Sequence, residues 1–367
     1  MLPRYNLLMR PAVIAAVLLA LCSCGNTEQE QSRQPLGSTQ TESGSYPDVA
    51  PTTTQTEAPS PLTQFFLEQA QKGFSSTCST AEQLQRSIER FLSTPSQKGL
   101  TEAKQAWASA HQHYLATQLF RNINIQHPIL DKSTTDPVQH SIFIRIDQTP
   151  LLPGYLDQIE GYPKTGYVFS SLPIDRQTLN KEHQFADTAY VALGFHAIEF
   201  LLWGETNRPF TDFLALSTEL KSGMTDNPDT FKLRRSKLLA LTTNLLVEDL
   251  KQLCNEWNID GGYYATSLRK QLNSEQHSAI SAAVEQSIAN IQVEIAKIRQ
   301  AKEEDKEIEL HSAFANNNQL DTQRQIETLD TLIKSTPWKN ASKQDEHAMK
   351  LTTLAATLTF KEASKRP

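Results

Sequence analysis

The chain has 367 residues with 41 acidic and 35 basic side chains, a formal net charge of −6, and only 13 glycines. The negative balance excludes the basic footprint of a nucleic-acid-binding protein. The scarcity of glycine argues against a fold built on tight turns. About 300 residues follow a polar N-terminal stretch, enough for a sizeable core and for two subdomains.

The N-terminus reads as a targeting segment. Arg4 and Arg10 supply positive charge, and Pro11 to Leu21 form an apolar run of signal-peptide length. That run is shorter than the roughly 20 apolar residues of a membrane-spanning helix. It ends in Leu21-Cys22-Ser23-Cys24-Gly25, which resembles the bacterial lipobox. The resemblance implies a signal peptide over 1–23 and acylation of Cys24, so that the membrane is a partner through that residue. Each buried CH2 of an acyl chain contributes about 0.8 kcal/mol to such an anchor. Gly25, where aspartate would retain a lipoprotein in the inner membrane, implies the outer membrane of a bacterial envelope. Residues 24–61 hold Gln, Glu, Ser, Thr and Pro with almost no large apolar side chain. Such a stretch buries too little surface to offset its ordering entropy and predicts a disordered tether.

Helical periodicity dominates from residue 62 on. It predicts helices over 79–92 and 101–121, and in the latter Trp107, Tyr114 and Arg121 recur at heptad spacing on one face. These three are expected to line or support a cleft. His111 and His113 share that helix but point apart, so they are not expected to chelate one ion together. Pro128, Pro137, Pro150, Pro153 and Pro163, with Gly154, Gly161 and Gly166, mark a long irregular connection, a type that is commonly functional. Within it, residues 140–147 (HSIFIRID) alternate as a short extended insert would, and Tyr155, Tyr162, Tyr167 and Phe169 suggest an ordered cover. A central helix is predicted over 187–203. SGMTDNPD breaks the pattern near 215–230 and is expected to divide two antiparallel helical bundles. Leucines recur helically over 231–257, and Ile280, Val284, Ile288, Ile291, Ile295 and Ile298 form a seam. Further helices are expected over 320–334 and 346–363. The fold class is therefore all-α, with a helical-bundle region over 62–335 and a helical tail over 336–367. Cys78 and Cys254 remain after processing; they can pair in an oxidising compartment or stay as buried thiols, and both readings stand.

Chemistry concentrates in Gly194 to Trp203 (GFHAIEFLLW), where His196 and Glu199 are three apart and share a face. Apolar residues cover every other direction. A carboxylate in such surroundings must be paired, protonated or metal-bound. Glutamate and histidine at this spacing serve bundle metal sites when facing helices add ligands, and they suit Zn(II), Fe(II) and other first-row ions. The competing reading is a hydrogen-bonded pair that fixes helix packing. His311 can complete a site with His196, or can cap a helix end or pack between bundles. Arg208 and Asp212, four apart, read as a structural ion pair.

The segment GFHAIEFLLWG, residues 194–204, resembles the GxHxxE signature of the imelysin family, which includes the insulin-cleaving membrane protease and iron-regulated proteins. Further elements follow in the same order. Ala106-Trp107, Tyr114 and Phe120-Arg121 resemble the family's AW…Y…FR helix; residues 208–213 (RPFTDF) resemble its RP-x-x-DF stretch; residues 309–314 (ELHSAF) resemble its E-x-HSxF element. The likeness spans roughly residues 62–335. It implies an imelysin-like all-α fold, a divalent metal, Fe or Zn, bound by His196, Glu199 and His311, and supporting roles for Gly194, Trp107, Tyr114, Arg121, Arg208, Asp212 and Ser312. Two positions depart from the pattern: Gln118 stands where the family often has glutamate, and Ala315-Asn316 where it tends to have serine and an acidic residue.

Three functions follow. The first is capture of a metal ion or metal complex for a membrane iron or metal transporter, as the iron-regulated relatives imply. The second is a metallopeptidase, with Glu199 as its catalytic residue. That reading lacks an HExxH helix, and a single HxxE leaves no separate glutamate to act as base. The third is a surface binding protein in which the pair is only structural.

Overall fold

The computed structural model describes residues 58–131, 141–205, 207–215, 228–304, 310–342 and 346–359. The expected signal peptide, Cys24, nearly all of the tether, Pro137, most of the 215–230 break, Glu309 and residues 360–367 lie outside them. The described residues are helical, with one isolated bridge between Ile159 and Tyr162 in place of any strand.

The first helix, α1 (Pro61–Ser93), starts where two signals coincide: the Ser60 side chain accepts from the Thr63 N–H, and Pro61 occupies the first turn. The predicted 79–92 helix is its second half. Ser96 caps α2 (Gln97–Ala116) by accepting from the Gly99 N–H. The continuous helix expected to residue 121 is interrupted at Thr117, whose hydroxyl donates to the Tyr114 carbonyl at 2.6 Å. That local bond competes with regular propagation, and a separate turn, α3 (Gln118–Arg121), follows.

The expected extended insert at 140–147 is instead a short helix, α4 (Ile142–Ile146), with the Ser141 hydroxyl accepting from the Phe143 N–H. Eight residues are too few for alternation alone to decide between strand and helix, and no strand among the described residues lies there to pair with. After α5 (Pro153–Leu156) and α6 (Arg176–Glu182), the central helix begins later than expected. Residues 187–193 form turns in which the Asp187 side chain accepts from the Ala189 N–H. Helix α7 runs only from Gly194 to Trp203, and every residue from Gly194 to Leu202 is buried.

Beyond residue 227 come α8 (Pro228–Glu256), α9 (Tyr263–Arg269), α10 (Asn273–Glu304), α11 (Asn318–Ile333), α12 (Thr336–Ala341) and α13 (Glu346–Thr359). Helix α1 packs along both α2 and α8, and α7 lies against α2 and α8. Helices α10, α11 and α13 pack on one another, and α11 joins the two sets by crossing α2. One apolar core runs through both. Its aromatic centre includes Phe74 stacked on Trp257 at 5.0 Å and Phe66 edge-on to Phe120 at 5.2 Å.

Two polar devices pin this core. Cys78 on α1 and Cys254 on α8 form a disulfide across 176 positions of sequence. Asp157, fully buried, accepts from Arg235 at 2.5 and 2.9 Å and contacts Arg208 at 3.0 Å. Arg208 also donates to Asp212 at 3.2 Å, so the anticipated Arg208–Asp212 pair is one edge of a larger buried network. Burial would raise the Asp157 carboxyl, but Arg208 and Arg235 hold it below the ordinary carboxylate range.

The disulfide ties α1 to α8 over a long loop, for which chain entropy gives a stabilisation of about 5 kcal/mol at most. Replacing Cys78 and Cys254 together by serine is expected to lower calorimetric stability by about 2–5 kcal/mol. An unchanged melting temperature would show that the link carries none of the stability.

Candidate metal centre

Four side chains from four segments converge beside α7. His196 sits on its first turn, His111 on α2, Asp147 immediately after α4, and His311 in the loop before α11. The Asp147 Oδ1 atom lies 2.9 Å from His196 Nε2, 3.3 Å from His311 Nε2 and 3.4 Å from His111 Nε2. The Nε2 atoms of His196 and His311 are 3.3 Å apart. One ligand atom from each of the four residues falls within 4.8 Å of the others. Donors around a tetrahedral ion with bonds of about 2.0–2.2 Å are separated by about 3.3–3.6 Å. Three of the four short separations above match that spacing, and three imidazoles with a carboxylate suit a first-row metal ion in their chemistry.

The sequence builds this arrangement through one contact. Gly194 has φ +83, and a Cβ there would come within 2.4 Å of the carbonyl oxygens of both Arg145 and Ile146. Only glycine lets α7 begin against the end of α4, and that approach brings Asp147, the next residue, onto His196. Trp107 fixes α2 from the other side. Its indole N–H donates to the Phe195 carbonyl at 2.8 Å, and its ring stacks on His111 at 4.8 Å. Tyr114 packs on Phe195, and Arg121 lies over the Tyr114 ring while donating to its hydroxyl at 3.0 Å. Trp107 and Tyr114 are a buried scaffold behind the histidines, with the part-buried Arg121 at its edge.

Glu199 occupies a different place from a fellow ligand of His196. Its Oε2 accepts from His196 Nδ1 at 2.8 Å, on the ring edge opposite the cluster. Its Oε1 accepts from the backbone N–H groups of Phe314 and Ala315 at 3.0 and 2.8 Å. A second carboxylate holds a parallel position: Asp321 on α11 is 3.4 Å from His111 Nδ1 and accepts from the Ser312 hydroxyl. The Ser312 N–H donates to Asn318 Oδ1 at 2.7 Å.

Burial and charge pull against each other in the cluster. Burial would raise the Asp147 carboxyl, yet the His311 charge and hydrogen bonds from His111, His196 and His311 hold it well below the usual carboxylate range. Burial would lower both His111 and His196; instead Asp321 and Asp147 push His111 up to about 10, and Asp147 and Glu199 raise His196. His111, His196 and Asp147 are almost completely enclosed, whereas the His311 side chain is 22% exposed and forms the solvent edge of the cluster.

Of the expected ligands, the structure brings His196 and His311 together. It adds His111 and Asp147, which motif reading passed over. His111 was legible in principle, since it lies four residues after Trp107 and three before Tyr114 on the face they mark. His113 diverges as expected and bonds to the Ser109 carbonyl. Asp147 carried no comparable signal, because its approach depends on a fold contact 47 residues away at Gly194.

A model of the imelysin family matches residues 70–356. Among solved structures, one described as an iron-regulated protein A precursor from Parabacteroides distasonis aligns with a TM-score of 0.46 and 14% identity. The alignment covers 82% of this chain and 94% of that one. No curated protein matches the chain.

Substituting Gly194→Ala would combine an unfavourable positive φ with a backbone clash. The expected loss is about 2–4 kcal/mol of stability, with Asp147 displaced from His196. Chemical denaturation would measure the first effect; a wild-type unfolding midpoint would contradict this account of the α4–α7 contact.

Proposed function

The chain belongs to the imelysin family, and from that premise we propose that it captures a divalent first-row metal ion, iron or zinc, through His111, Asp147, His196 and His311. The observation that carries this reading is the convergence of four ligand atoms within 4.8 Å, with a carboxylate behind each of two imidazoles. Carboxylates in that position set the tautomer and raise the basicity of a metal-bound histidine. The part-exposed His311 gives the ion a way in and out, as a carrier requires. In this reading Cys24 is lipidated, the tether holds the helical region off the outer membrane, and the metal passes to a membrane transporter.

The same geometry argues against the metallopeptidase alternative. A peptidase zinc commonly has three protein ligands, an open position and a base to activate water. Here four protein donors converge, and both Glu199 oxygens already serve as acceptors for His196 and the 314–315 backbone.

Metal content after dialysis against excess Fe(II) or Zn(II) is expected to be about one equivalent in the wild type and far lower in His196→Ala. Equal contents would sink the reading, and chelator-sensitive digestion of an unfolded protein chain would favour the peptidase.

Proton linkage gives a second test. His111, raised to about 10, carries a proton at neutral pH that a metal must displace, and His196 is shifted in the same direction by Asp147 and Glu199. Affinity should therefore climb with pH from 6 towards 10 and fall in acid. Titration calorimetry in buffers of different ionisation enthalpy should show net proton release; its absence would mean that these imidazoles are not the ligands.

A further inference from the structure

Glu199 and Asp321 share a pattern that the capture of a metal does not by itself require. Each carboxylate holds the Nδ1 edge of a helix-borne histidine, and each also holds the loop that carries His311. Glu199 joins His196 to the N–H groups of Phe314 and Ala315 at 2.8–3.0 Å. Asp321 joins His111 to the Ser312 hydroxyl. Helix-borne and loop-borne ligands are thus tied together behind the cluster rather than across it. All four groups are buried: Glu199 and Ser312 are at 0% exposure, Asp321 at 3% and His111 at 0%. Solvent therefore offers no substitute partner for either carboxylate. Phe314 reinforces the tie by packing edge-on against Phe200 of α7 at 5.0 Å.

We propose that Glu199 is a positioning residue that docks the His311 loop onto His196, making His311 available as a ligand, and that it does not itself touch the metal. Glu199 is suited to this role because its two oxygens are divided between the two tasks. Oε2 sets the His196 ring so that Nε2 points into the cluster, and Oε1 anchors the backbone three and four residues beyond His311. A metal ligand would need one of those oxygens to leave its partner, stranding a buried imidazole N–H or two part-buried backbone N–H groups. Asp321 performs the matching task between His111 and Ser312, so the loop is held at two points on either side of residue 313. The inference rests on the metal-capture reading.

The test uses the full chain freed of metal, with Co(II) as the probe, because its visible spectrum reports the ligands directly. Wild type is expected to bind one Co(II). In Glu199→Gln the spectrum should keep its shape while affinity falls about 10–100-fold, the size usual for loss of a partner behind a metal-bound histidine. His311→Ala should weaken binding and change the spectrum, because a ligand is lost. The double variant should lose less than the sum of the two single losses, since His311→Ala has already removed what Oε1 protects while the Oε2 contact to His196 still counts. A Glu199→Gln spectrum changed in a way that His311→Ala does not share, as for loss of a different ligand, or fully additive losses in the double variant, would overturn the proposal while leaving metal capture intact. A wild type that binds no Co(II) would remove both.

Hydrogen exchange of the wild type needs no substitution and reads the same coupling. The Phe314 and Ala315 amides should become more protected on Co(II) loading. Unchanged exchange at both would also overturn the docking role.

Discussion

The backbone contact between Gly194 and the end of α4 is the constraint on which the rest of the site depends. The absence of a side chain there lets the first turn of α7 rest on the carbonyls of Arg145 and Ile146. Asp147 follows directly and lands against His196 at 2.9 Å. Helix α7 is apolar on nearly every side and is packed between α2 and α8, so it cannot shift to accommodate a larger residue. A single conformational requirement thus sets the distance between two groups 49 positions apart in sequence.

Around that contact the fold gathers a dense set of ionisable groups in a largely buried interior. Three imidazoles and three carboxylates (Asp147, Glu199 and Asp321) lie in or beside one cluster. Isolated charges in such a place would be strongly unfavourable, so each is engaged by a partner of opposite character or by a backbone donor. The two carboxylates behind the cluster also bind the 310–317 loop, alongside the Ser312–Asn318 bonds and the Phe314–Phe200 contact. The charge network and the position of His311 are therefore one problem with one solution. The separate Asp157–Arg208–Arg235 network follows the same logic away from the cluster: burial demands pairing, and pairing sets the geometry between 157, the turn after α7, and α8.

Much of the architecture was legible from periodicity. The leucine pattern over 231–257 and the isoleucine seam of 280–298 correspond to α8 and α10. The misreadings share a cause. Residues 140–147 are too short for alternation to separate strand from helix, and a Ser141 cap decided for helix. The apolar run before Gly194 looks helical, but the positive φ at that glycine delays the start of α7. Thr117 ended α2 by bonding to its own turn. In each case one local hydrogen bond or one backbone angle outweighed an average tendency.

The sequence by itself determined that the chain is helical, that His196 and Glu199 share a buried face, and that ordered motifs on both sides resemble one family. Those properties are local: they depend on side-chain spacing along a helix and on residue order. Which atoms meet His196 was decided only by tertiary structure. Glu199 faces the far edge of the ring, while Asp147, His111 and His311 arrive from a short helix, a long helix and a loop. The spacing of three puts two residues on one face but does not say which ring nitrogen each neighbour will meet. That depends on how distant segments pack, and here a glycine without a side chain and two buried carboxylates determined it.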